Sequence, residues 1–107
     1  MRSVYADAKV KRYAAEIVDA TRNPGLYGLD TGPYVSNGAS PRASLYLILG
    51  AKTRALMSGR GFVLPEDIRA VAYETLRHRI LLSYEAEADG VTSQKIIESV
   101  LNTVKIP

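Results

Sequence analysis

The sequence predicts an all-α domain, a small four-helix bundle with one long ordered loop between its first two helices. Three observations predict it. Apolar residues recur at helical spacing in four separate stretches. Most of those stretches open on a capping residue or a proline and close on glycine, proline or other turn formers. No stretch alternates apolar and polar residues persuasively enough for a half-buried strand. The chain has 107 residues, one domain's length, and residues 1–107 are read as a single domain.

The first helix runs from Asp7 to Thr21. Val10, Tyr13, Ala14, Ile17, Val18 and Thr21 share one face, and Lys9, Lys11, Arg12, Glu16 and Asp19 take the other. Asp7 can cap it, because its carboxylate can accept a backbone N–H that the first turn leaves unpaired. Asn23-Pro24-Gly25 stops it, since proline cannot continue the hydrogen-bond ladder.

From Arg22 to Ala39 glycines and prolines break any period, yet Leu26, Tyr27, Leu29, Tyr34 and Val35 are too apolar for a solvated linker. A loop of this length and composition is ordered and packs on something. Ser40-Pro41 opens the second helix sharply, with serine as N-cap and proline in the first turn. That helix runs through Leu45, Ile48, Leu49, Ala51 and Ala55 to Ser58, and Gly59 and Gly61 end it.

Pro65-Glu66-Asp67 starts the third helix, whose two carboxylates face the positive helix end. Ile68, Val71, Ala72, Thr75 and Leu76 form its buried stripe. Leu64 stands where serine or threonine is the better cap, a weakness of about 0.5–2 kcal/mol. Residues 80–84 are ambiguous between a last helical turn and an extended segment, and residues 85–90 are acidic and end in a turn. Thr92 caps the fourth helix, with Ile96, Ile97, Val100, Leu101 and Val104 on one face.

Composition removes several function classes. Apolar residues at 47% and charged residues at 23% are the balance of a soluble globular domain. No cysteine is present, which excludes disulfides, thiolate metal sites and thiol catalysis. His78 is the only histidine, so a multi-histidine metal site cannot be built, and no metal ligands are assigned. No apolar run could span a bilayer, and Met1-Arg2-Ser3 lacks the following apolar stretch of a signal peptide, so a cytoplasmic setting is expected. The net charge of +3 permits a nucleic-acid or phosphate partner without demanding one, because the basic residues are scattered.

Arg42 rises above this background. It lies at the second position of its helix, where the macrodipole disfavours a cation by about 0.3–1 kcal/mol. Open backbone N–H groups at a helix N-terminus attract an anion, and the guanidinium adds a planar fork suited to phosphate oxygens. The alternative is a surface arginine folding back onto Asp30, Glu16 or Asp19. Residue types alone favour that alternative.

A set of short words changes the balance. Gly38-Ala39-Ser40-Pro41-Arg42-Ala43 resembles the sensor 2 motif at the start of the second lid helix in MoxR-family AAA+ ATPases. Arg22-Asn23-Pro24-Gly25, Gly32-Pro33-Tyr34-Val35, Pro65-Glu66-Asp67, Leu76-Arg77-His78-Arg79-Ile80 and Leu82-Ser83-Tyr84-Glu85-Ala86 match the same family in order, over nearly the whole chain. The resemblance implies a lid that closes over ATP bound to an α/β core. Arg42 would reach the γ-phosphate as a catalytic and nucleotide-binding residue, with Ala39 and Ser40 near the nucleotide. It implies ring assembly in the parent protein, chaperone-like maturation of protein complexes, and partners carrying von Willebrand factor A domains. The chain has no G-x-x-x-x-G-K-[ST] loop and no acidic Walker B strand. ATP and its Mg2+ would therefore be held by the ATPase core, and this chain alone is not expected to hydrolyse ATP.

Other residues have plainer readings. His78, among arginines at a helix end, reads as structural, and Arg77 and Arg79 as partners of Glu85 and Glu87. Tyr13 and Tyr46 fall at helical spacing with core residues and read as packing rather than base stacking. Two other functions compete with the lid reading. A free-standing nucleic-acid module would need a helix basic along a whole face, and a protein-interaction module would use the apolar loop from Leu26 to Val35.

Overall fold

The computed structural model describes residues 4–107, so Met1-Arg2-Ser3 lies outside the described residues. Helix α1 spans Ala8–Arg22. Its N-cap is Asp7, whose carboxylate accepts the Val10 N–H at 2.9 Å. Every residue assigned to its apolar face is buried, Thr21 included.

Helix α2 spans Ala43–Met57 and α3 spans Pro65–Leu76. They pack against each other, and α1 lies on α2. The buried residues of α2 are Ala43, Leu47, Ala51 and Ala55, at a strict spacing of four. Small side chains on this stripe let the backbones come close. A Cβ on Gly50 would only touch Val71 at 3.4 Å. Leu45, Leu49 and Leu56 instead face solvent, each about half exposed. Because α2 is apolar nearly all round, periodicity alone does not reveal which face is inside.

Helix α3 lacks a capping side chain at Leu64, as the sequence indicates. Asp67 makes good part of that deficit by accepting the Leu64 N–H at 2.8 Å. Helix α5, Ser93–Thr103, is capped by Thr92, which accepts the Lys95 N–H at 3.3 Å. It closes the bundle against α1 and α3. Arg69 reinforces that closure, donating to the Tyr13 hydroxyl at 3.1 Å and to the Leu101 carbonyl at 2.7 Å.

The structure adds a fifth helix, α4, Tyr84–Ala88, where the sequence reading had only an acidic run and a turn. Ser83 caps it by accepting the Ala86 N–H at 3.3 Å, and Glu85 and Glu87 suit the positive end of the helix. Ala86 is buried, and Gly90, at φ +70°, turns the chain so that Val91 N–H reaches the Ala86 carbonyl. The reading without strands also needs correction. Val35–Asn37 (β1) and Leu81–Leu82 (β2) form a two-stranded antiparallel ladder, with Val35 opposite Leu82. Three and two residues are too few for alternation to show in the sequence.

The long loop is ordered, as predicted. It forms 3-10 turns at Pro24–Tyr27 and Gly32–Tyr34 before entering β1. Tyr27, Leu29, Tyr34 and Val35 pack on the core, but Leu26 is exposed. Tyr34 donates to Asp89 at 2.9 Å and Ser83 donates to the Pro33 carbonyl at 2.6 Å, stitching the loop to the β2–α4 segment.

Candidate functional site

The end of α1 and the start of α2 are brought together by backbone packing. A Cβ on Gly38 would stand 2.5 Å from the Thr21 carbonyl oxygen and 2.7 Å from the Arg22 Cα. Only glycine fits there. One residue on, the Ala39 N–H donates to the Thr21 hydroxyl at 3.0 Å, and both residues are buried.

Ser40 then starts the turn that becomes α2. Its carbonyl accepts the Ala43 N–H at 2.8 Å, and its hydroxyl accepts the Arg42 N–H at 3.1 Å. Ser40 thus orders the turn ahead of α2 and does not cap the helix itself: regular α-helix begins at Ala43, and Arg42, expected at its second position, stands at the N-cap with no capping side chain. Ser44 N–H bonds the Pro41 carbonyl and Leu45 N–H bonds the Arg42 carbonyl.

This corrects one expectation. The N–H groups of Arg42, Ala43, Ser44 and Leu45 all have partners within the chain, so they do not form an open anion cradle. Capacity for an anion rests on the guanidinium of Arg42 and the helix dipole.

Arg42 itself is exposed. Among the described residues its guanidinium has no carboxylate within 4 Å. The alternative partner Asp19 is engaged elsewhere, accepting from Asn23 Nδ2 at 2.8 Å and from the Tyr27 hydroxyl at 2.9 Å. Burial, with Asp19 beside it, pushes the Tyr27 hydroxyl up to about 12, so it stays a donor.

A cleft of about 490 Å³ opens beside this junction, lined by Thr21, Arg22, Val35, Asn37, Ser40 and Pro41 among others. A smaller one, about 160 Å³, lies between α1 and the start of α2 and shares Arg22 and Pro41. Ala39 forms no part of either lining. It is wholly buried, and Ser40 is exposed. A buried Ala39 holds the segment in place and cannot offer much surface to a ligand.

The remaining singled-out residues lie apart from this junction. His78 is exposed, and its Nε2 accepts from Arg77 Nε at 3.1 Å. Arg77 pairs with Glu74 at 3.7 Å, not with Glu85 or Glu87. Arg79 stacks over the Tyr46 ring at 4.6 Å and donates to the Thr75 carbonyl. The ion pairs expected with the acidic run are not formed among the described residues: Arg77 pairs within its own helix region, and Arg79 turns to an aromatic ring and a backbone carbonyl. Tyr13 is buried as expected, whereas Tyr46 is only partly covered.

Comparison with known proteins shows which family the fold belongs to. The AAA lid domain family matches residues 29–100, two-thirds of the chain. The chain belongs to the AAA lid domain family. The lid is 44% identical to Chaperone MoxR1 of Mycobacterium tuberculosis over 89% of its own length and 26% of that protein's. It is 36% identical to the protein YeaC of Bacillus subtilis over its whole length and 31% of YeaC. A crystal structure of a candidate ATPase from Cytophaga hutchinsonii superposes on 98% of the lid with a TM-score of 0.94 at 45% identity, covering 32% of that chain. The lid therefore spans about a quarter to a third of the proteins it matches. Its relatives are MoxR-like, and its fold is that of the matching part of an ATPase-like chain.

Sequence reasoning identified the Gly38–Ala43 stretch but not what holds it. Thr21 looked like one more member of the apolar face of α1. A threonine among valine and isoleucine on a buried stripe is the one signal that could have marked it, since its hydroxyl must find a partner.

Proposed function

We propose that this lid senses nucleotide in a MoxR-type ATPase, with Arg42 directed at the γ-phosphate of ATP held by the core. The observation that carries the reading is an exposed arginine with no carboxylate partner among the described residues, set at a helix start by Gly38, Ala39 and Ser40. The match to the AAA lid family and to MoxR-named relatives supports it.

In phosphoryl transfer, negative charge spreads over the γ-phosphoryl oxygens, and a guanidinium fork aimed at them stabilises the transition state. Because Arg42 stands on the lid, that contact also ties lid position to the state of the nucleotide. Ser40 lines the neighbouring cleft and lies beside the nucleotide in this reading, with Ala39 behind it as support. In this reading the ligands of Mg2+ belong to the ATPase core.

At the level of the whole protein the reading extends to ring assembly, to chaperone-like maturation of protein complexes with von Willebrand factor A-domain partners, and to a cytoplasmic setting. The name Chaperone MoxR1 of one relative supports the chaperone part. No described helix is long and apolar enough to cross a membrane.

The test is steady-state ATP turnover by the lid joined to its ATPase core. Arg42→Ala is expected to lower kcat roughly a hundred- to a thousand-fold, the range for loss of one preorganised donor at a transition state. Arg42→Lys keeps the charge but not the fork and should fall between the two. Turnover of Arg42→Ala equal to that of the unmutated protein would remove the sensor assignment.

A further inference from the structure

We propose that Thr21 is the positioning residue for Arg42, its hydroxyl tying the arginine's segment to the last turn of α1. The proposal rests on the sensor reading of Arg42 and adds a group that itself touches no nucleotide.

Thr21 is 1% exposed and sits on the buried stripe of α1 with Ile17 and Val18. Valine has nearly the same shape without the hydroxyl, so an apolar stripe does not itself ask for one, and a buried hydroxyl there must find a partner. The hydroxyl has two partners. It donates to the Val18 carbonyl at 2.6 Å and accepts the Ala39 N–H at 3.0 Å. The first bond uses its only proton and leaves its lone pairs for Ala39.

Around this bond the two backbones touch directly, because Gly38 carries no Cβ to part them from Thr21 and Arg22. Beyond it the segment is held by its own bonds, from the Arg42 and Ala43 N–H groups back to Ser40. Among the described residues, the segment 38–43 has one side-chain hydrogen bond to α1, and it is Thr21's. With it, the base of Arg42 follows α1 as a rigid piece. Without it, the Ala39 N–H loses its partner in a buried place and the segment must shift to find another.

The experiment compares Thr21→Val, Thr21→Ser, Arg42→Ala and the Thr21→Val/Arg42→Ala double variant in the lid joined to its ATPase core. Thr21→Val should lower kcat by roughly five- to fifty-fold with KM for ATP little changed, because a misplaced group costs rate while uniform binding is retained. Thr21→Ser keeps the hydroxyl and should stay within about two-fold of the unmutated rate, which a role in packing alone would not produce. On the Arg42→Ala background, Thr21→Val should cause no further loss, since both act through one group.

Two results would overturn the proposal. One is unmutated turnover in Thr21→Val while Arg42→Ala is impaired. The other is independent losses that multiply in the double variant. Full activity in Arg42→Ala would instead remove the sensor reading beneath it. If circular dichroism shows Thr21→Val unfolded, hydrogen exchange in the unmutated protein decides. The Ala39 amide should exchange as slowly as those in the last turn of α1, and exchange at the rate of exposed loop amides would sink the idea.

Discussion

Asp67 is the most heavily engaged side chain among the described residues, and its partners are structural. Its carboxylate is fully buried and takes two hydrogen bonds from Arg60, at 2.7 and 2.8 Å. The Leu64 N–H donates to it at 2.8 Å, and Arg54 Nε lies 3.3 Å away. The hydrogen bonds from Arg60 hold its carboxyl below the usual carboxylate range; burial opposes this, and the Leu64 N–H adds to the lowering. A folded-state value below the unfolded one contributes stability that is complete above about pH 3.9 and is lost as pH falls through the folded value. Asp67→Asn should cost about 3 kcal/mol at neutral pH, the scale for breaking a buried pair while leaving its partners in place. Urea unfolding at a series of pH values checks both parts: below about pH 4 the variant's stability should fall less steeply than the unmutated protein's. Equal slopes would mean that Asp67 does not titrate as argued.

Helix starts were legible in the sequence because caps are local. Asp7, Ser40, Pro65 and Thr92 all lie at or within a few residues of the helices they open. The inside face of α2 was not legible, since leucine, isoleucine and alanine surround it and only contact with α1 and α3 selects Leu47 over Leu45 and Leu49. The junction of α1 and α2 is likewise a property of two elements. Gly38→Ala should force the backbones apart, because its Cβ would meet the Thr21 carbonyl at 2.5 Å with no side chain to swing away. The expected cost is about 1–3 kcal/mol. Thermal unfolding should register it as a fall of roughly 4–8 °C per kcal/mol. A variant melting with the unmutated protein would show that the segment can relax freely, contrary to the packing described.

The whole molecule measures 47 × 22 × 20 Å, longer than a rounded bundle of its size, with the loop and the β2–α4 segment stitched together by Tyr34 and Ser83. One end of α2 carries Arg42, and no phosphate-binding loop occurs anywhere in the 107 residues. A single guanidinium can stabilise charge on a phosphoryl group but cannot cradle a triphosphate or hold Mg2+. Under the proposed sensor reading, the isolated lid should release no phosphate from ATP above a buffer blank, and turnover should require joining it to an ATPase core. Measurable release by the purified lid alone would break this division of labour.

The sequence by itself determined the helical class, the four long helices, the Asp7 and Thr92 caps, the ordered loop, and the Gly38–Ala43 stretch that carries Arg42. These follow from residues a few positions apart, which is the range over which capping and periodicity act. Tertiary structure alone decided which face of α2 is buried, that Val35–Asn37 pairs with Leu81–Leu82, and that Arg42's backbone neighbours are internally bonded. It also decided that Thr21, eighteen residues before Ala39, anchors the stretch. A hydroxyl on an apolar stripe declares that it needs a partner, and only the folded chain shows which one it finds.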